Sequence, residues 1–126
     1  MNISKSKGNV GETFVAKHLV RNGYSVVKRN FHSRYGEIDI IAVNHEFIVF
    51  VEVKARKSKP IVSALESVDK IKQVKITKTA MLYLQDYPSD LQPRFDVAEV
   101  IMRYDRAESI NYIEDAFEIQ TDLILY

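Results

Sequence analysis

The spacing of apolar residues changes along this chain, and the changes mark out its elements. Between Asn9 and Asn22, Val15, Ala16, Leu19 and Val20 fall at helical spacing. Gly23 follows, the residue that most often stops a helix. Tyr24 to Asn30 reads as a strand. Gly36 to Val43 and Glu46 to Ala55 are rich in β-branched residues and flank Asn44 and His45, which predicts a hairpin. Both arms are apolar on both faces, the pattern of strands covered from two sides. A second helix is expected from around Ser67 to about Tyr87, with Ile76, Ala80, Tyr83, Leu84 and Tyr87 at helical spacing. Phe95 to Tyr104 and Ile110 to Ile113 read as later strands, before an irregular or helical tail. The order α-β-β-β-α-β predicts an α/β fold, a mixed central sheet flanked by helices. No repeat or Gly/Ser linker interrupts it, and Pro60, Pro88 and Pro93 punctuate loops, so residues 1–126 are read as one domain.

Strand alternation makes the hairpin informative about chemistry. A loop centred on Asn44 and His45 places residue 37 opposite 52 and residue 39 opposite 50. Opposed residues share a face, so Glu37, Asp39, Phe50, Glu52 and Lys54 are expected on one side of the sheet. Asp39 and Glu52 would then be diagonal neighbours about 7 to 8 Å apart, close enough for both carboxylates to reach one hard cation. The first helix adds a fourth acid. Glu12 lies in the middle of the stripe formed by Val15, Ala16, Leu19 and Val20 and is expected to face inward. A carboxylate there must be protonated, paired with a cation, or bonded to a metal's water. Packed on the charged face of the hairpin, this helix would bring Glu12 to the same centre. The plain alternative is that these acids pair with Lys54 and Arg56 on a solvated sheet face.

Charge sharpens this picture. The net charge of +1 hides a segregation: residues 1–35 sum to +6, 36–52 to −4, 53–78 to +6 and 79–126 to −7. Two basic segments bracketing an acidic one suit phosphates held around a metal site, or else two solvated faces and an acidic tail. Arg56, Lys72 and Lys75 are the candidates for phosphate contact, the last two being neighbours on one helix face; the alternative is a solvated helix flank. The absence of cysteine excludes a disulfide framework and a thiolate metal site. The polar start and a longest apolar run of only Phe47 to Val51 argue against a signal peptide and a membrane span, so a cytoplasmic protein is expected. His18, His32 and His45 lack metal-ligand spacing. Asp96 is expected to pair with Arg94, and Tyr83 and Tyr87 to join the core.

Asp39, twelve intervening residues and then Glu52-Val53-Lys54 resemble the D…(D/E)xK signature of the restriction-endonuclease-like, PD-(D/E)xK, superfamily. The chain more closely resembles the YraN-like family of bacterial proteins related to Holliday junction resolvases. Gly11-Glu12, Gly36-Glu37-Ile38-Asp39-Ile40-Ile41, Phe50-Val51-Glu52-Val53-Lys54-Ala55-Arg56 and Arg94-Phe95-Asp96-Val97 carry the likeness. The resemblance implies a nuclease-like domain with a restriction-endonuclease-like core. Asp39 and Glu52 would hold Mg²⁺ or Mn²⁺, and Lys54 would orient or activate the attacking water. Glu12 would orient a metal-bound water or help hold a second ion. Glu37 would support the cluster, or pair with Arg34 or Arg56. The expected function is metal-dependent hydrolysis of phosphodiester bonds in DNA, branched or Holliday-junction-like substrates included, for which a homodimer would suit the two-fold junction. The alternatives are a nucleic-acid-binding module that keeps the fold without turnover, and an interaction protein using its acidic C-terminal segment.

Overall fold

A computed structural model describes residues 3–57 and 64–118, with side chains from residue 9 onward. Its elements are α1 (Ile3–Arg21), β1 (Ser25–Ser33), β2 (Gly36–Val43), β3 (Phe47–Arg56), α2 (Lys70–Asp86), β4 (Gln92–Arg103) and β5 (Arg106–Phe117). The expected order and the α/β class are both present. Pro60 and the segment beyond Glu118 lie outside the described residues. Several boundaries differ from expectation: α1 begins at Ile3 rather than Asn9, β1 runs to Ser33, β4 begins at Gln92 and β5 at Arg106, and two further differences have visible reasons. Helix α2 begins at Lys70 rather than near Ser67, because the Asp69 carboxylate caps it by accepting the Lys72 amide at 2.9 Å. Strand β5 runs on to Phe117, well past Ile113, because it pairs with β4 along most of its length.

The five strands form one sheet in the order β1-β2-β3-β4-β5. Only β3 and β4 are parallel, and α2 is the crossover that a parallel connection requires. The helices lie on opposite faces. Val15 and Leu19 of α1 pack with Ile40, Ala42, Val49, Val51, Ala98 and Val100. Ile76, Ala80 and Tyr83 of α2 pack with Ile41, Ile48, Phe50, Phe95 and Val97. β3 is therefore apolar on both sides because both sides are covered. Gly11 lets α1 sit close to it: a Cβ at that position would lie 3.3 Å from Ala55 Cβ. At the other end α1 closes in a Schellman motif. Tyr24 N donates to Leu19 O and Gly23 N to Val20 O, with Gly23 at φ +89°.

The hairpin register differs from expectation by two residues. Ile40 pairs with Val51 and Val43 with Ile48, so the turn is centred between His45 and Glu46 rather than on Asn44 and His45. Asn44 is the cause. Its Oδ1 accepts the Glu46 and Phe47 amides at 2.9 and 2.6 Å, making Asn44 the first residue of the turn. A two-residue slip preserves the faces, and its extension brings Asp39 level with Glu52 instead of diagonal to it.

Bulges interrupt the ladders between Val26 and Lys28 and along β4–β5, and near the site alternation fails at Asn30. Ile38 and Ile41 are three residues apart yet share the α2-side core, and Phe31 packs there too, edge-on to Tyr83 at 5.2 Å. Asn30 takes the left-handed conformation at φ 52°, which turns β1 over, and β2 twists with it. Helix phase has a direct test. Leu19→Ala, at a site 1% exposed, should cost about 2–5 kcal/mol in chemical denaturation. Val20→Ala, at a site 59% exposed, should change stability by no more than about 0.5 kcal/mol. Comparable losses at both positions would contradict the packing of α1.

Candidate active site

The β2–β3 ladder stops at Ile40 and Val51. Further along β3 the Val53 amide donates to Asp39 Oδ2 at 2.7 Å, so a side chain serves where a strand carbonyl would have stood. That bond holds the Asp39 carboxylate in the plane of the sheet, beside Glu52. The two are 8% and 7% exposed. Glu52 Oε1 receives Lys72 Nζ of α2 at 2.7 Å and Lys54 Nζ, on its own face of β3, at 3.5 Å. Asp39, Glu37, Glu52, Lys72 and Lys75 line a cleft of about 500 Å³, closed on one side by the start of α2.

The charges are unevenly compensated. Burial pushes the Asp39 pKa up to about 8, the neighbouring Glu52 adds to the rise, and the Val53 amide only partly opposes it. Burial lowers the pKa of Lys54, and the adjacent Lys72 ammonium lowers it further. Burial also works against the charge of Lys72, but hydrogen bonds to Glu52 and Lys54 outweigh it and hold its pKa above the ordinary value. Glu52 therefore has two ammonium groups within 3.5 Å, whereas among the described residues Asp39 forms no ion pair and Lys72 acts on it only at longer range.

The remaining sequence candidates are dispersed around this centre. α1 packs on the opposite face from the one expected, so Glu12 does not line the cleft. It is buried, with Arg29 Nη2 of β1 at 3.6 Å from an Oε1 that lacks a hydrogen-bond partner. Burial raises its pKa, with Arg29 opposing, and its charge is felt at Asp39. Glu37 lines the cleft but turns to His32, 3.2 Å away on β1, rather than to Arg34 or Arg56. Arg56 ends β3 with a buried Nε that has no hydrogen-bond partner, and it is not among the lining residues. Lys72 serves as the partner of Glu52 and Lys75 stands at the cleft's edge. Asp96 does pair with Arg94, at 2.8 and 2.9 Å, and is fully buried. Tyr83 is core, but Tyr87 is 59% exposed and stacks on it from outside. Sequence reasoning missed Arg29 and the role of Asn30. An Arg-Asn pair inside a strand was the available signal, since Asn is poor in strands and tolerates positive φ.

Asp39 and Glu52 could hold a hard divalent ion. Mg²⁺ is met by one or two carboxylates, with water and phosphate completing its shell, and an uncompensated Asp39 fits that use. No group of three His, Cys, Asp or Glu side chains suited to a metal occurs among the described residues.

The model of the uncharacterised protein family UPF0102 matches residues 11–100. The chain belongs to the UPF0102 family. It is 44% identical over 118 residues to the UPF0102 protein of Clostridium tetani, covering 92% of this chain and 97% of that one. The UPF0102 protein of Caldanaerobacter subterraneus subsp. tengcongensis is 41% identical over 116 residues, covering 90% and 95%. Among solved structures, Pyrococcus furiosus SfsA in complex with Ca²⁺ aligns over 92% of this chain and 65% of that one, at 15% identity. The TM-score of that overlay is 0.40. The span matched by the family model contains every site residue discussed above. No helix among the described residues of this UPF0102 chain is long and apolar enough to cross a membrane.

The state of Asp39 has a measurable signature. A carboxyl whose folded pKa is raised stabilises the protein fully below its unfolded pKa and loses that contribution as pH rises through the folded value. In metal-free buffer, the Tm of the wild type relative to Asp39→Asn should therefore fall as pH rises toward about 8. A difference independent of pH across that range would contradict a buried, uncompensated Asp39.

Proposed function

We propose that this cleft is the active site of a divalent-cation-dependent nuclease that hydrolyses phosphodiester bonds in DNA, with branched, Holliday-junction-like DNA the substrate suggested by the family resemblance. The observation that carries the reading is the buried Asp39–Glu52 pair, with Lys54 beside one carboxylate and, among the described residues, no ion pair on the other. Asp39 and Glu52 would hold Mg²⁺ or Mn²⁺. Such an ion, when bound, supplies an activated water and offsets charge developing on the phosphate.

The chain's own residues account for the rest. The Val53 amide fixes Asp39, so that the carboxylate needs no reorganisation before it accepts a cation. Lys54, its pKa lowered by burial, is better placed than an exposed lysine to take or orient a water proton. Lys72 and Lys75 put positive charge at the mouth of the cleft, where a phosphodiester would approach. A homodimer would offer two such clefts to a two-fold junction.

One observation favours a second reading, a nucleic-acid-binding module without turnover. Glu52 already has two ammonium groups within 3.5 Å, and these would compete with a metal for it. Mn²⁺-dependent cleavage of a four-way DNA junction separates the two. We expect cleavage, reduced by about 10²-fold or more in Asp39→Ala and in Lys54→Ala with the fold retained. Cleavage unchanged in either variant would overturn the assignment. Salt-sensitive DNA binding with no hydrolysis in Mg²⁺ or Mn²⁺ would favour the binding module.

A further inference from the structure

The β1–β2 turn is made by Arg34 and Tyr35, and it is tied down. Ser33 Oγ accepts the Tyr35 amide at 3.1 Å and lies 2.8 Å from Thr79 Oγ1 of α2. Beside the turn opens a second cleft of about 580 Å³, lined by Arg34, Tyr35, Ile71 and the lysines at 70, 75 and 78, with no acid among its lining residues. The Tyr35 ring has Lys78 Nζ at 4.9 Å and Arg34 Cζ at 5.0 Å from its centroid. Ile71, 69% exposed, and Lys75 line both this cleft and the carboxylate cleft, so the two are continuous.

We propose that the second cleft holds an unpaired stretch of a DNA strand whose neighbouring phosphodiester lies in the carboxylate cleft. The cations follow the phosphates, and Tyr35 stacks a base against its ring. An aromatic ring set among cations on a rigid turn is the chemistry of single-strand recognition. A paired base hides its faces in the duplex, whereas an unpaired base offers a face to an aromatic ring. Exposed Ile71, at the junction of the clefts, is placed to meet the sugar or base where the strand leaves the carboxylates. The proposal rests on the nuclease reading for the direction of the strand, and it narrows the substrate to DNA with an unpaired segment beside the cleaved bond.

Binding is tested without metal, by fluorescence anisotropy of two DNA probes in EDTA: a blunt duplex and the same duplex with a single-stranded tail. The wild type is expected to bind the tailed probe at least about tenfold more tightly, the worth of one stacked base. Tyr35→Leu, which keeps bulk at the turn and removes the ring, should abolish that advantage, and Tyr35→Phe should keep it. Lys78→Gln should weaken binding to both probes and flatten the salt dependence. Equal affinity for the two probes, or a tail preference that survives Tyr35→Leu, would overturn the proposal. Cleavage of both probes in Mn²⁺ separates this idea from the one it rests on. A Tyr35-dependent preference without cleavage keeps the groove and removes the nuclease, whereas cleavage without that preference removes the groove alone.

Discussion

Where β2 parts from β3, the Val53 amide needs an acceptor, and the Asp39 side chain supplies it at 2.7 Å. A buried amide left unbonded is costly, and so is a buried carboxylate, and here each answers the other. The bond is also what keeps Asp39 beside Glu52 rather than reaching for solvent. Ending the backbone ladder at Ile40 and Val51 thus turns the interior of the sheet into a site. A ladder continued to the strand end would have occupied the amide and left Asp39 an ordinary buried acid with nothing to hold it.

Compensation of charge around that bond is deliberately incomplete. Glu52 is met by Lys54 and Lys72, Glu12 by Arg29 and Asp96 by Arg94, while Glu37 lies 3.2 Å from the His32 ring. Asp39 receives one amide hydrogen bond, and its pKa rises to about 8 because it is buried and because three acids, Glu52, Glu12 and Glu37, act on it. A site of this kind costs stability when empty and regains it when a cation arrives. The Arg94–Asp96 pair shows the contrast: saturated by a bidentate guanidinium, the Tyr112 hydroxyl and the Asp115 amide, it fastens β4 to β5 and offers no place for a ligand.

Helix α2 serves two purposes with two faces. Ile76, Ala80 and Tyr83 anchor it to the sheet, while Lys72, Lys75 and Lys78 line the clefts beside it. Its position follows from the crossover between parallel strands, and its start from the Asp69 cap. Moving that start by one residue would rotate the lysines by about 100° away from the carboxylates.

Local periodicity in the chain was enough to establish the element order, the α/β class, the two-sided cover of β3 and the face shared by Glu52 and Lys54. These depend on spacings of two and about 3.6 residues, which short stretches of sequence carry without reference to the rest of the molecule. The inward turn of Glu12 was legible for the same reason. The register was legible only to within two residues, because it hinged on which residue began the turn, and Asn44 decided that with its own side chain. Arg94 for Asp96 and Lys54 for Glu52, each two residues away on the same strand, were legible as partners, but the partners that come from other elements were not. Which face of the sheet α1 covers, that Arg29 meets Glu12, that Lys72 reaches Glu52, and that Asn30 turns a strand over so that Glu37 meets His32 all depend on how distant elements dock. Helix phase tells which side of a helix is buried but not against which face of the sheet, so the tertiary structure decided which elements meet the acids and left Asp39 with no ion pair among the described residues.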